Sequence, residues 1–117
     1  MPHFQGQRLS FMTQVEQLSK LLDKLEVEMQ ANGTWQTQAP SESALMSVEP
    51  FAIDTLLPHE WLQWIFIPQM RFLITQNCSL PAEFSMAAYF EESWKTETQF
   101  CAVIRVIQQI DKVSLSC

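Results

Sequence analysis

Glycine is scarce in this 117-residue chain, which has only 2, and no stretch alternates apolar and polar residues with a period of two. Tight hairpin turns rely on glycine at positive φ, and half-buried strands rely on that alternation, so the sequence speaks against a β fold. Positive charge is also thin. Lys and Arg number 7 against 13 Asp and Glu, a formal net charge of −6. Arg8, Lys20, Lys24, Arg71, Lys95, Arg105 and Lys112 are scattered and form no basic window. Proteins gain affinity for nucleic acid by displacing phosphate counterions with Lys and Arg, so direct binding to RNA or DNA is not expected.

Cysteine is limited to Cys78, Cys101 and Cys117, an odd number without CxxC spacing. That inventory suits neither a disulfide framework nor a zinc site and points to a reducing, cytoplasmic setting. Cys101 lies in an apolar helical pattern and is expected to be an inert core thiol. The opening residues MPHFQGQRLSF lack the apolar stretch of a signal peptide. The most apolar run, residues 61–67, is interrupted by Gln63 and is far shorter than the roughly 20 residues a membrane-spanning helix needs. The only histidines, His3 and His59, have no metal-ligand spacing to another His or Cys. No phosphate-binding loop, HExxH, diiron ExxH or nucleophile-elbow pattern occurs. The sequence therefore assigns no metal, no cofactor and no catalytic residue.

Hydrophobic residues make up 47% of the chain and charged residues 17%. Such a composition excludes global disorder and fits one domain over residues 1–117 that buries roughly two-thirds of its unfolded surface. Residues 8–31 read as a helix, because Phe11, Val15, Leu18, Leu22, Leu25 and Met29 recur at spacings of three and four. Glu16 and Lys20 form an i,i+4 pair on its polar face, and Asn32-Gly33 supplies a helix stop. Residues 32–53 read as a long irregular connection in which Trp35 either pins the loop to the bundle or helps to shape a binding surface.

A second helix is expected to start near Pro58, with Asp54 and Thr55 as capping types and Glu60 facing the helix dipole, and to run to about Gln76. Trp61, Leu62, Trp64, Ile65, Phe66 and Ile67 cover most of its circumference, the mark of a central helix. Pro68 lies inside it, so a kink is expected, with the Trp64 carbonyl deprived of its usual donor. A break at 77–81 leads to a third helix over 82–95. A fourth starts near Thr98 and carries Phe100, Val103, Ile104, Ile107 and Ile110. The reading is an all-α, compact bundle of about four helices, with residues 1–7 and 113–117 expected to fray.

Residues 50–70 carry a pattern more specific than a helical stripe. Phe51, Asp54, Thr55, Pro58, Glu60, Trp61, Leu62, Gln63, Trp64, Ile67, Pro68 and Met70, followed by Leu80, Pro81 and Glu91, resemble the signature of the YqcC-like family, a group of small bacterial proteins. Two positions depart from it: Gln69 stands where the family usually has Arg, and Ala88 where a Pro is common. Any pairing of that Arg with Glu60 or Glu91 is thereby lost. The resemblance implies a small helical bundle and an association with tRNA pseudouridine synthase C, whose genes often neighbour those of the family. A pseudouridine synthase requires a catalytic Asp in a much larger mixed domain, so the resemblance does not imply that activity in 117 helical residues.

Two functional expectations follow. In the first, the chain is a non-catalytic accessory protein that binds a protein partner through a surface drawn from Phe51, Asp54, Thr55, Pro58, Glu60, Trp61, Gln63, Trp64, Pro68, Gln69 and Glu91, with Trp61 and Trp64 either core or interface. In the second, Asp54, Glu60, Gln63 and Glu91 line a small-molecule or catalytic pocket beside the Pro68 kink. The chain is expected as a monomer, or as a homodimer through apolar residues around Phe4, Phe11 or Trp94.

Overall fold

A computed structural model describes residues 13–76 and 85–115. Expectations for residues 1–7, His3, Phe4, Phe11, Cys78, Leu80, Pro81 and Cys117 lie outside the described residues.

The first helix, α1, spans Gln14–Ala31. Its first residue, Gln14, lies six positions after the expected start at residue 8, because the side chains of Thr13 and Glu16 close a cap there. Thr13 Oγ1 accepts from the Glu16 N–H at 3.0 Å, and Glu16 Oε1 accepts from the Thr13 N–H at 2.9 Å. Glu16 thus serves the cap rather than Lys20. At the other end Gly33 takes φ +82°, its N–H reaches Gln30 O, and the Thr34 N–H reaches Met29 O. This Schellman closure is the stop that Asn32-Gly33 signals.

The connection that follows is less irregular than its composition suggests. It holds a short helix, α2 (Glu42–Leu45), and a 3₁₀ turn at Pro50–Ala52. Ser41 Oγ caps α2 by accepting from the Ala44 N–H at 3.2 Å.

The central helical run comprises α3 (Pro58–Trp61), a π-helical turn (Leu62–Phe66) and α4 (Ile67–Thr75). The disturbance expected at Pro68 takes the form of that π turn. The Ile67 N–H reaches back five residues to Leu62 O just before the residue that has no N–H to give. Asp54 and Thr55 do not cap this run. The N-cap is Leu57, whose N–H donates to Glu60 Oε1 at 2.8 Å. Next come α5 (Ala87–Ser93), a 3₁₀ turn at Thr98–Phe100 and α6 (Cys101–Leu115). Residues 113–115 are helical rather than frayed, and Val113 is buried.

The core lies between α1 and α6, which pack along each other, with α4 against α1 and α5 against α6. Leu18, Leu22, Leu25 and Met29 of α1 are at most 1% exposed and meet Val103, Val106, Ile107 and Ile110 of α6. Leu62, Phe66, Ile67 and Met70 fill the third side. Trp94 is only 5% exposed and stacks on Phe100 at 3.9 Å, so it belongs to the core. Cys101, by contrast, is exposed at the first turn of α6 and is not a core thiol. No strand occurs among the described residues, and no helix among them is long and apolar enough to cross a membrane.

Polar ties join the helices as well, among them the Gln14 Nε2 bond from α1 to Val113 O on α6 at 3.0 Å. Arg71 on α4 bridges Asp23 at 2.9 Å and Glu26 at 3.3 Å on α1, exposed enough to contribute little. Asp111 on α6 accepts from the Met86 and Ala87 N–H groups at 2.8–3.1 Å, a cap for α5 supplied by a different helix. Replacing Asp111 with Ala leaves two helix-start donors without that acceptor. It is expected to cost about 1–2 kcal/mol in urea denaturation, with Asn in its place costing less because it keeps one acceptor oxygen.

Candidate functional site

The signature residues of the central run converge on one residue of the preceding loop, Gln36. Glu60, Gln63 and Trp64 stand at i, i+3 and i+4 and therefore share a helix face. Gln63 is 5% exposed and is the buried polar side chain of the described core. Its Oε1 accepts from the Gln36 N–H and its Nε2 donates to Gln36 O, both at 2.8 Å. The side-chain amide thus pairs with the Gln36 backbone as a neighbouring strand would. The Gln36 side chain is held as firmly. Its Oε1 accepts from Trp64 Nε1 at 2.8 Å, and its Nε2 donates to Glu60 Oε2 at 3.0 Å. These four bonds fasten the loop to the π turn, and Trp35 beside them packs against the core. Gln36 has no counterpart in the expected site, because a lone Gln in a Ser/Thr/Gln-rich stretch carries no local signal.

Phe51, the first residue of the signature, lies in a second constellation. It adopts φ 57°, and Ala52 adopts φ 48°, left-handed conformations unfavourable for side chains of this kind. Packing compensates. The Phe51 ring stacks on Tyr89 at 4.1 Å and meets Trp61 edge-on at 4.8 Å, while Trp61 stacks on Phe66 at 5.5 Å. Phe90, fully buried, connects this cluster to Trp94 at 5.0 Å. Beside it opens an apolar cleft of about 340 Å³, lined by Pro50, Phe51, Trp61, Phe66, Met70 and Met86, with Gln69 and Ser85 at its polar edge. Trp61 and Trp64 are both half-buried and both engaged within the fold.

The remaining expected residues are dispersed. Asp54 is exposed and accepts from Ser47 Oγ at 2.6 Å. Thr55 Oγ1 donates to Ala44 O at 2.7 Å. Glu91 accepts from Gln108 Nε2 at 2.8 Å. Pro58 begins α3, and Pro68 and Gln69 are exposed on α4. Ala88 is exposed on α5. Glu60 and Gln63 share Gln36 as partner, whereas Asp54 is tied to Ser47 and Glu91 to Gln108, so the four do not gather around one pocket. None of the four lines the cleft. No group of His, Cys, Asp and Glu suited to a metal occurs among the described residues.

Two neighbouring titratable groups report on this region. Burial lowers the His59 imidazole below its ordinary value, only partly offset by Glu60, and no hydrogen bond reaches its buried Nδ1 among the described residues. Burial pushes the Glu60 carboxyl up, but the bonds from Leu57 and Gln36, with His59 beside it, outweigh that and hold it below the usual carboxylate range. Both pKa values are lower folded than unfolded, so both groups contribute stability above the unfolded values and lose it as pH falls. Urea stability is therefore expected to decline first below the ordinary histidine pKa and again below the ordinary carboxylate pKa. Glu60→Gln should flatten the second decline. Gln63→Leu strands both backbone groups of Gln36 and is expected to cost about 2–4 kcal/mol, whereas Trp64→Phe, which removes one bond, should cost about 1 kcal/mol, both read by urea denaturation.

Known proteins resemble this chain in sequence and in fold. The chain is 42% identical over 79 residues to a Haemophilus influenzae protein named only as uncharacterised, covering 68% of this chain and 74% of that one. It is 31% identical over 101 residues to Escherichia coli YqcC, covering 86% and 93%. The solution NMR structure of E. coli YqcC superposes with a TM-score of 0.77 at 29% identity, over 87% of this chain and 88% of that one. A Pectobacterium carotovorum protein named tRNA pseudouridine synthase C is 33% identical over 96 residues, which are 79% of this chain but only 26% of that protein. The model of the DUF446 family, described as tRNA pseudouridine synthase C, matches residues 17–113, and the chain belongs to that YqcC-like family.

Proposed function

We propose that this protein is a non-catalytic accessory module of tRNA pseudouridylation that acts in the cytoplasm by binding a pseudouridine synthase. The observation that carries this reading is the Pectobacterium relative. There a segment like this chain occupies a minor part of a longer protein named tRNA pseudouridine synthase C. Covalent joining holds two modules at high effective concentration, and modules that function together as separate chains achieve the same end by binding. The fold is in keeping with it. The signature polar groups are engaged in holding a loop rather than gathered around a reacting atom. The net charge of −6 suits contact with an RNA-binding enzyme better than contact with the RNA.

The test is calorimetric titration of the chain into the pseudouridine synthase encoded by the same genome, at near-physiological salt. A dissociation constant in the micromolar range or below is expected, together with no pseudouridine formation by the chain alone. An absence of binding, or pseudouridine formed without the synthase, overturns the reading.

A further inference from the structure

We infer that the loop from Met46 to Leu57 is the docking face for the synthase, through its exposed apolar side chains and the acidic side chains on and beside it. The inference rests on the reading that a synthase is the partner. Among the described residues, large hydrophobic side chains stand out from the surface at seven positions, and four of them fall in these twelve residues: Met46 at 74% exposure, Val48 at 94%, Ile53 at 62% and Leu57 at 58%. Val15, Val27 and Phe72 stand apart from them on α1 and α4, as isolated surface hydrophobics commonly do.

The exposed side chains stand on an ordered segment. Thr55 Oγ1 donates to Ala44 O, and Ser47 Oγ donates to Asp54 Oδ1, so the arm bearing Met46 and Val48 is tied across to the arm bearing Ile53. The 3₁₀ turn at Pro50–Ala52 closes the tip, and Phe51 anchors it in the aromatic cluster. An apolar face fixed before contact avoids much of the ordering cost that association otherwise carries.

Charge selects the occupant. No Lys or Arg occurs between Lys24 and Arg71, while Glu42, Glu49 and Asp54 are exposed on and beside the loop. A second copy would bring like charges together, and RNA phosphate or an anionic membrane would be repelled. The fitting surface is apolar with a Lys/Arg rim. An enzyme that binds tRNA carries basic surface for the phosphates, which makes a synthase the complementary partner.

The test compares wild type with the combined variant Met46→Ser, Val48→Ser and Ile53→Ser, with Phe72→Ser as the exposed control, each titrated against the synthase. Far-ultraviolet circular dichroism and thermal melting check that the fold is kept. The triple variant should weaken binding by about tenfold or more at an unchanged melting temperature, and Phe72→Ser by less than about twofold. Glu42→Lys with Glu49→Lys should slow association and flatten its salt dependence. Wild type binding with an unaffected triple variant overturns the docking face and leaves the accessory reading standing. Wild type failing to bind the synthase overturns both. If the triple substitution instead abolishes a tRNA shift or a self-association seen by light scattering, with synthase binding intact, the assignment of the face to the synthase is overturned.

Discussion

The pairing of the Gln63 side chain with the backbone of Gln36 is the constraint on which the exposed half of this molecule depends. Among the described residues the long connection after α1 has no strand to pair with, and its backbone groups need partners where it crosses the central run. Gln63 supplies a donor and an acceptor from one buried amide, and Glu60 and Trp64 close on the Gln36 side chain from the same face. Each such bond contributes about 1 kcal/mol net, but an unpaired buried member is costlier than a paired one is favourable. The clamp therefore acts by exclusion: other seats for the loop would strand these groups.

The aromatic cluster completes the arrangement from the other end of the loop. Phe51 and Ala52 hold positive φ without being glycine, a conformation that persists only where surrounding contacts over-determine it. Stacking on Tyr89 and edge contact with Trp61 do so, and they couple the turn to α5 and α3 together. The π turn at Leu62–Phe66 carries Gln63 and Trp64 of the clamp and Phe66 of the cluster, and absorbs the missing donor of Pro68. Clamp, π turn and strained aromatic turn form one unit, which presents the apolar residues between Met46 and Leu57 to solvent.

The helices were legible because burial imposes a period that a linear sequence retains. Leu18, Leu22, Leu25 and Met29, and Val103, Ile107 and Ile110, are fully buried where their spacing places them. The stop at Asn32-Gly33 and the start at Pro58 rest on local chemistry and were legible for the same reason. The start at Thr13 was hidden by an apolar stripe that continues past it. The apolar pattern around Cys101 hides its exposure, because it lies beside the α6 stripe rather than in it, at the exposed edge of the first turn. At the site, the signature marked Glu60, Gln63 and Trp64 as special without saying what they meet, since Gln36 is 27 residues from Gln63 and joined to it only by tertiary contact. Positive φ at Phe51 was likewise invisible, because the packing that enforces it comes from α5. The acidic residues, read as possible pocket groups, proved to be separate caps and ties.

The signature that marks this chain as YqcC-like thus reads physically as a fastening between a helix and a loop. The measurement that tests this most directly is residue-resolved amide hydrogen exchange by NMR on wild type and Gln63→Leu. The account predicts much faster exchange confined to residues 34–57, with the amides of α1 and α6 keeping their wild-type order of protection. Unchanged protection in the loop, or a uniform loss across all helices, would contradict it.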